Sequence, residues 1–296
     1  MKSIERGYIP ALGTPLDKEG NFLPESYKKQ IEDQINAGAS GILCMGSMGI
    51  EPYIRVDVFP RIVEAAVEAV NGRVPLLVGA GDTSIARIKA KIDSVAHLDF
   101  YGLVFTPSFF EACSDAEVIN FYKKISALTN KNIFLYDHPW STQAKIKYDM
   151  VKELLNVMPN LKGIKTGDIV MCKQLLKDPE IAQKDFEIIF SGLDIFDIGY
   201  KYGLDRCLDG MPACTPCNTG NLFKALANDD YEAAHIYLKN LIDLRDLFVA
   251  NDLWPCFTAA MNMLGYEGDF APDYTLDITK EAYDNVYAEM KRICEI

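Results

Sequence analysis

A short apolar or β-branched run followed by an amphipathic helical stretch recurs eight times along the 296-residue chain. The runs are Tyr8–Leu12, Gly41–Cys44, Pro75–Gly79, Gly102–Phe105, Asn132–Tyr136, Leu161–Lys165, Phe186–Phe190 and Arg206–Leu208. Helical spacing follows each in turn, over 24–37, 58–70, 85–96, 116–128, 148–157, 169–176, 195–202 and 220–227. Each unit takes about 30 residues, the length of one strand–helix crossover. Short buried strands alternating with helices imply a parallel sheet, and eight repeats imply a closed (β/α)8 TIM barrel, an α/β fold. The rival, a doubly wound open sheet, usually has a Gly-rich phosphate turn after its first strand. Here that turn reads Gly13-Thr14-Pro15, which is no such motif. The barrel is expected over residues 1–225, with 226–296 as a C-terminal helical extension packed on it. Those last helices carry more apolar positions than a monomer needs, so they are expected to contribute subunit contacts.

Composition narrows the function classes. Hydrophobic residues make up 49% and charged residues 24%, as in ordinary soluble globular proteins. Lys and Arg total 30 against 42 Asp and Glu, a net charge of −12, which opposes non-specific attraction to nucleic acid. No run of about 18 apolar residues is present to span a membrane. Residues Met1 to Arg6 are polar and lack the apolar core of a signal peptide, so a cytoplasmic location is expected. The eight cysteines are scattered, which favours reduced thiols. Cys214-Thr215-Pro216-Cys217 has the spacing of a redox pair or half a zinc site. A second half is missing, the only histidines being His97, His138 and His235, so buried, inert cysteine is the expectation.

Active sites of such barrels lie at the C-terminal ends of the strands. The second strand ends in Gly46-Ser47-Met48-Gly49, the fourth in Thr106-Pro107-Ser108-Phe109-Phe110 and the fifth in Tyr136-Asp137-His138-Pro139. The sixth ends in Lys165 and the seventh in Ser191-Gly192-Leu193-Asp194. Most lysines are solvated surface cations. Lys165 instead closes an apolar strand at the barrel mouth, where burial disfavours the ammonium ion and a free amine can form a Schiff base. Tyr136, one strand away, offers a phenol for proton transfer. The Gly46–Gly49 turn offers backbone N–H groups and a hydroxyl suited to a carboxylate. Amine, phenol and anion nest together describe a site for a 2-oxo acid.

The ordered set of motifs resembles the dihydrodipicolinate synthase/N-acetylneuraminate lyase family of pyruvate-dependent class I aldolases. It comprises Gly13-Thr14-Pro15, Gly46-Ser47-Met48-Gly49, Thr106-Pro107, Tyr136-x-x-Pro139, Gly163-Ile164-Lys165 and Ser191-Gly192-x-Asp194. The resemblance implies that Lys165 is the Schiff-base lysine and Tyr136 the proton shuttle. It makes Ser47 the link between that shuttle and the substrate carboxylate, held beside Gly46 and the Met48 N–H. Leu208 stands where the family offers a backbone carbonyl to the keto acid. No metal or organic cofactor is implied, and a homo-oligomer, tetramer or dimer, is. Several positions depart from the synthase pattern. Trp140-Ser141-Thr142 follows Pro139 where synthases carry an arginine, and Met48 replaces a nest hydroxyl. Ser108 and Phe109 replace a tyrosine pair. Ile195 follows Asp194 where a sialic acid lyase keeps an acidic residue. Ile50, apolar where Glu is usual, looks more like the 2-keto-3-deoxy-gluconate aldolase branch. The expected reaction is therefore reversible cleavage of a 2-keto-3-deoxy sugar acid, or a related 4-hydroxy-2-oxo acid, to pyruvate and an aldehyde. Asp194, His138 and Asp137 are candidates to contact the substrate, although His138 and Asp137 equally suit a role in fixing the loop before Pro139. The alternatives are a dehydratase using the same imine, the synthase or sialic acid lyase activity itself, and a non-catalytic keto-acid-binding barrel.

Overall fold

A computed structural model describes residues 3–296, and its organisation is an eight-stranded parallel barrel wrapped by helices. The strands are β1 (Gly7–Pro10), β2 (Ile42–Cys44), β3 (Leu76–Gly79), β4 (Gly102–Phe105), β5 (Asn132–Asp137), β6 (Leu161–Thr166), β7 (Glu187–Phe190) and β8 (Arg206–Asp209). Hydrogen-bonded pairing runs β1-β8-β7-β6-β5-β4-β3-β2. The ring closes between β1 and β2, where the Leu12 amide donates to the Leu43 carbonyl at 3.0 Å. Inward side chains alternate as a barrel requires: Ile9, Leu43, Leu77, Val104, Phe134, Ile189 and Leu208 form one interior cluster. The opposite parity packs a larger core between barrel and helices, including Cys44, Val78, Leu135, Ile164, Phe190 and Cys207. This doubly buried setting is why the strands read as unbroken apolar runs.

The outer helices begin where local chemistry starts them. Ser114 and Glu117 form a reciprocal capping box for helix Asp115–Ser126. Asp168 caps helix Ile169–Lys177 by accepting from the Val170 and Met171 amides, both at 3.0 Å. The helix after β8 starts at Pro216, four residues earlier than its hydrophobic pattern predicts, because proline suits the first helical turn. Two further helical turns, Pro139–Thr142 and Pro179–Ala182, are too short to show a periodic signal. Helices Tyr231–Ala250, Leu253–Met263 and Lys280–Arg292 complete the chain, the first packing against Pro216–Ala227. Among the described residues no helix is long and apolar enough to cross a membrane. Cys214 is buried and Cys217 exposed, and neither is disulfide-bonded.

Candidate active site

A cavity of about 530 Å³ opens at the C-terminal ends of the strands. Lys165 reaches it from β6 and is 3% exposed. Its ammonium nitrogen sits 3.9 Å from the centroid of the Tyr136 ring. The two residues are register partners on adjacent strands, so strand pairing alone brings amine and phenol together. The Tyr136 hydroxyl lies 3.1 Å from Ser47 Oγ, and its ring stacks on His138 with centroids 5.0 Å apart. Burial, and then the nearby Lys165 charge, lower the His138 pKa to about 4, so this imidazole is neutral at pH 7. Lys165 itself has no hydrogen-bond or ion-pair partner among the described residues, and its nitrogen lies over the tyrosine face.

The nest opposite is a strained turn. Met45 (φ 54°) and Ile50 (φ 48°) are left-handed on either side of Gly46–Gly49, a conformation costly for a β-branched residue. The Met45 carbonyl passes so close to β3 that a Cβ at Gly79 would fall 1.8 Å from it, which explains the glycine there. Thr14 Oγ1 donates to the Gly49 carbonyl at 2.8 Å, and Gln30 holds Gly13 through both its amide and its carbonyl. The amides of Ser47, Met48 and Gly49 donate to no acceptor among the described residues, leaving consecutive N–H groups for an anion. Met48 lies against Gly210 of the turn after β8, where a Cβ would come within 2.1 Å of Met48 Cγ. The missing nest hydroxyl and the missing side chain at 210 are thus one packing solution.

Other residues singled out in the sequence fall in different places. Gly46 is buried in the turn, off the cavity wall. Leu208 belongs to the barrel interior, and the β8 end contributes Asp209 and Gly210 to the wall instead. Asp194 does not line the cavity. It forms a two-pronged bond with Arg245, at 2.8 Å through each nitrogen, because the long C-terminal helix passes over the β7 loop. Asp137 is a loop anchor: Oδ1 accepts from the Ile146 amide at 3.0 Å, while Oδ2 accepts from Thr166 at 2.8 Å and pairs with Lys145. Lys145 in turn bonds Asp168 at 3.1 Å. The acidic group absent at position 50 is present one residue later. The left-handed turn at Ile50 sends Glu51 inward to pair with Lys91, which also donates to the Gly81 carbonyl at 2.7 Å and to Asp82 at 3.0 Å.

Arg245, Lys145 and Asp209 were not found from sequence. Arg245 lies on a C-terminal helix with no motif around it, and Lys145 follows a short helical turn. Asp209 adjoins Leu208, the position to which the family resemblance points. The only available signal was that the eighth strand ends in a carboxylate, Arg206-Cys207-Leu208-Asp209, at the end of the barrel where chemistry is expected. Trp140, 94% exposed, stands on the rim with Val249 and Leu253.

A model of the dihydrodipicolinate synthetase family matches residues 5–293. The 4-hydroxy-tetrahydrodipicolinate synthase of Salinibacter ruber is 33% identical over 177 residues, 58% of this chain and 57% of the relative. That of Thermotoga neapolitana is 26% identical over 267 residues, 88% of this chain and 89% of the relative. Among solved structures, the N-acetylneuraminate lyase of Aliivibrio salmonicida superposes with a TM-score of 0.89 at 21% identity, covering 100% of this chain and 99% of that one. YagE of E. coli, solved in complex with pyruvate, gives 0.88 at 19% identity, covering 98% and 99%. At those identities the structures speak for the barrel and its C-terminal helices alone. The family model, matched across nearly the whole chain, makes this protein a class I aldolase-like member of the dihydrodipicolinate synthetase family.

Proposed function

We propose that the protein forms a Schiff base between Lys165 and a 2-oxo acid and reversibly cleaves a 2-keto-3-deoxy sugar acid, or a related 4-hydroxy-2-oxo acid, to pyruvate and an aldehyde. The observation that carries this reading is the setting of Lys165: buried, beside a phenol, in a cavity also lined by Ser47 and Met48, with no carboxylate in ion-pair contact. The amine attacks C2, and Tyr136, through Ser47, moves protons as the carbinolamine loses water. The iminium accepts the electron pair as the C3–C4 bond breaks. The nest holds the carboxylate and aligns that bond with the imine.

Charge balance supports a hydroxylated partner. Three cations (Lys145, Lys165 and Arg245) and three carboxylates (Asp137, Asp168 and Asp209) line the cavity. Lys145 is already committed to Asp137 and Asp168, and Arg245 to Asp194 and Asp246. The wall beyond Lys165 is thus polar without surplus positive charge, which suits hydroxyls better than a second carboxylate.

Incubation with pyruvate and borohydride, followed by digestion and mass spectrometry, tests the reading. A reduced pyruvyl adduct on the Lys165 peptide is expected, and its absence at saturating pyruvate would refute the Schiff-base assignment. Product analysis with 2-keto-3-deoxy sugar acids then separates cleavage from dehydration, because only cleavage yields pyruvate plus an aldehyde.

A further inference from the structure

Asp209 differs from every other carboxylate at the barrel mouth. Asp137 and Asp168 share Lys145, and Asp194 is clamped by Arg245. Asp209 has no ion pair within 4 Å among the described residues; the Met211 amide donates to its Oδ1 at 2.9 Å, and the Gly210 amide also favours its carboxylate. Its carbonyl accepts from the Ala11 amide at 2.9 Å, so strand pairing and the following turn hold the residue from both sides. No side chain pairs with this carboxylate, and the residue lines the wall of the cavity that contains Lys165. Burial raises its pKa, while the Met211 amide and then Lys165 pull it down, so Asp209 senses the charge on the lysine.

Barrel order then says what this carboxylate faces. Tyr136 is on β5 and Asp209 on β8, so they approach the β6 lysine from opposite sides. Placing the keto acid's carboxylate on the Ser47–Gly49 amides directs C1 toward β2, and the Schiff base ties C2 to β6. The β5 side is filled by the Tyr136–Ser47 pair. The remaining substituent of the trigonal C2, namely C3, turns toward β7 and β8, where the cavity continues past Ser191 and Asp209 to Arg245 and Leu253.

Resting on the Schiff-base reading above, we propose that Asp209 is a catalytic base and acid at C3 of the Lys165-bound intermediate. In the iminium of pyruvate, the C3–H bond breaks and its electron pair forms the C2=C3 bond. The C=N π pair moves to nitrogen, and the proton goes to the carboxylate of Asp209. Return of that proton to C3 regenerates the iminium, so the step balances without any further reactant. Tyr136 retains the protons at nitrogen and at the leaving oxygen.

Exchange of the pyruvate methyl protons in D2O, followed by NMR, reads this step without any aldehyde. Asp209→Asn keeps the shape of the side chain and an acceptor for the Met211 amide. The variant is expected to give the borohydride-trapped Lys165 adduct at the wild-type extent and to lose methyl exchange by about 100-fold or more, the usual contribution of an acid–base group. Exchange at the wild-type rate with the adduct intact would overturn the proposal. So would loss of the adduct in the variant alone, which would place Asp209 at imine formation or in folding. No adduct in the wild-type protein is a separate outcome: it removes the Schiff-base reading and this proposal with it.

Discussion

Two lysines are buried at the C-terminal end of this barrel, Lys165 at 3% exposure and Lys91 at 6%, and their surroundings are opposites. Lys91 is saturated: it meets Glu51, Asp82 and the Gly81 carbonyl, and Asp82 is further held by Arg87 at 2.6 Å. Burial raises the Glu51 pKa, to about 7, more than Lys91 lowers it. At Asp82 the balance tips the other way: burial is outweighed by hydrogen bonds from Arg87 and Lys91, and the value falls to about 2. Lys165 has a phenol ring and open cavity where Lys91 has carboxylates. A buried cation with every proton accepted holds structure together, here the strained Gly46–Glu51 turn. A buried lysine with no acceptor is not tied into the structure, and its amine is available to a ligand in the cavity. Burial alone distinguishes nothing; the partner set separates an anchor from the proposed nucleophile.

The comparison predicts that removing each lysine damages a different property. Lys165→Ala is expected to abolish turnover and borohydride trapping while leaving thermal unfolding nearly unchanged. Substantial residual aldolase activity would break the contrast. Lys91→Met leaves Glu51 and Asp82 without their shared cation, and loss of one partner of a buried pair costs about 3–5 kcal/mol. Urea denaturation should show that loss, with adduct formation surviving wherever the variant remains folded. If Lys91→Met instead retains stability, the cluster is not the anchor described.

Smaller effects refine the reactive side. Tyr136→Phe keeps the ring under the Lys165 amine and removes only the proton carrier, so steady-state turnover should fall by about two orders of magnitude. His138 sharpens the electrostatics through pH. Its folded pKa, about 4, lies below the ordinary 6.5, so the unfolded chain takes up a proton that the folded protein refuses. Folding stability should therefore decline as pH drops from about 6.5 to about 4, and His138→Gln should flatten that part of the profile in denaturation experiments. The smallest change is expected from Asp194→Asn. Asp194 is the exposed member of its pair with Arg245, and partly solvated pairs of this kind contribute about 1 kcal/mol or less. Its readout is KM for the sugar acid, because freeing Arg245 alters the cavity rim and leaves the lysine untouched.

Much of this was legible in the sequence. Eight apolar runs at regular spacing specify a parallel barrel, since strands buried on both faces must be apolar throughout and the helices between them must be amphipathic. That register puts Lys165 beside Tyr136, so the juxtaposition of the two proposed reacting groups could be read from strand ends. What stayed hidden depended on parity at a strand end or on contacts between distant residues. Leu208 and Asp209 are neighbours in sequence, yet one faces the interior and the other reaches the wall, and a run of three apolar or mixed residues does not say where the strand stops.

The chain by itself determined the strand order and the candidate amine at the strand ends, because each follows from local periodicity repeated eight times. Tertiary structure alone decided which charges are free. Asp194 is neutralised by an arginine 51 residues away, and Glu51 by a lysine 40 residues away that lies on a different helix. Pairing of that kind is set by how helices settle on the finished barrel, and no local pattern carries it. Among the charged residues that line the cavity, Lys165 and Asp209 are the ones left without an ion pair, and that is visible only once the others have found theirs.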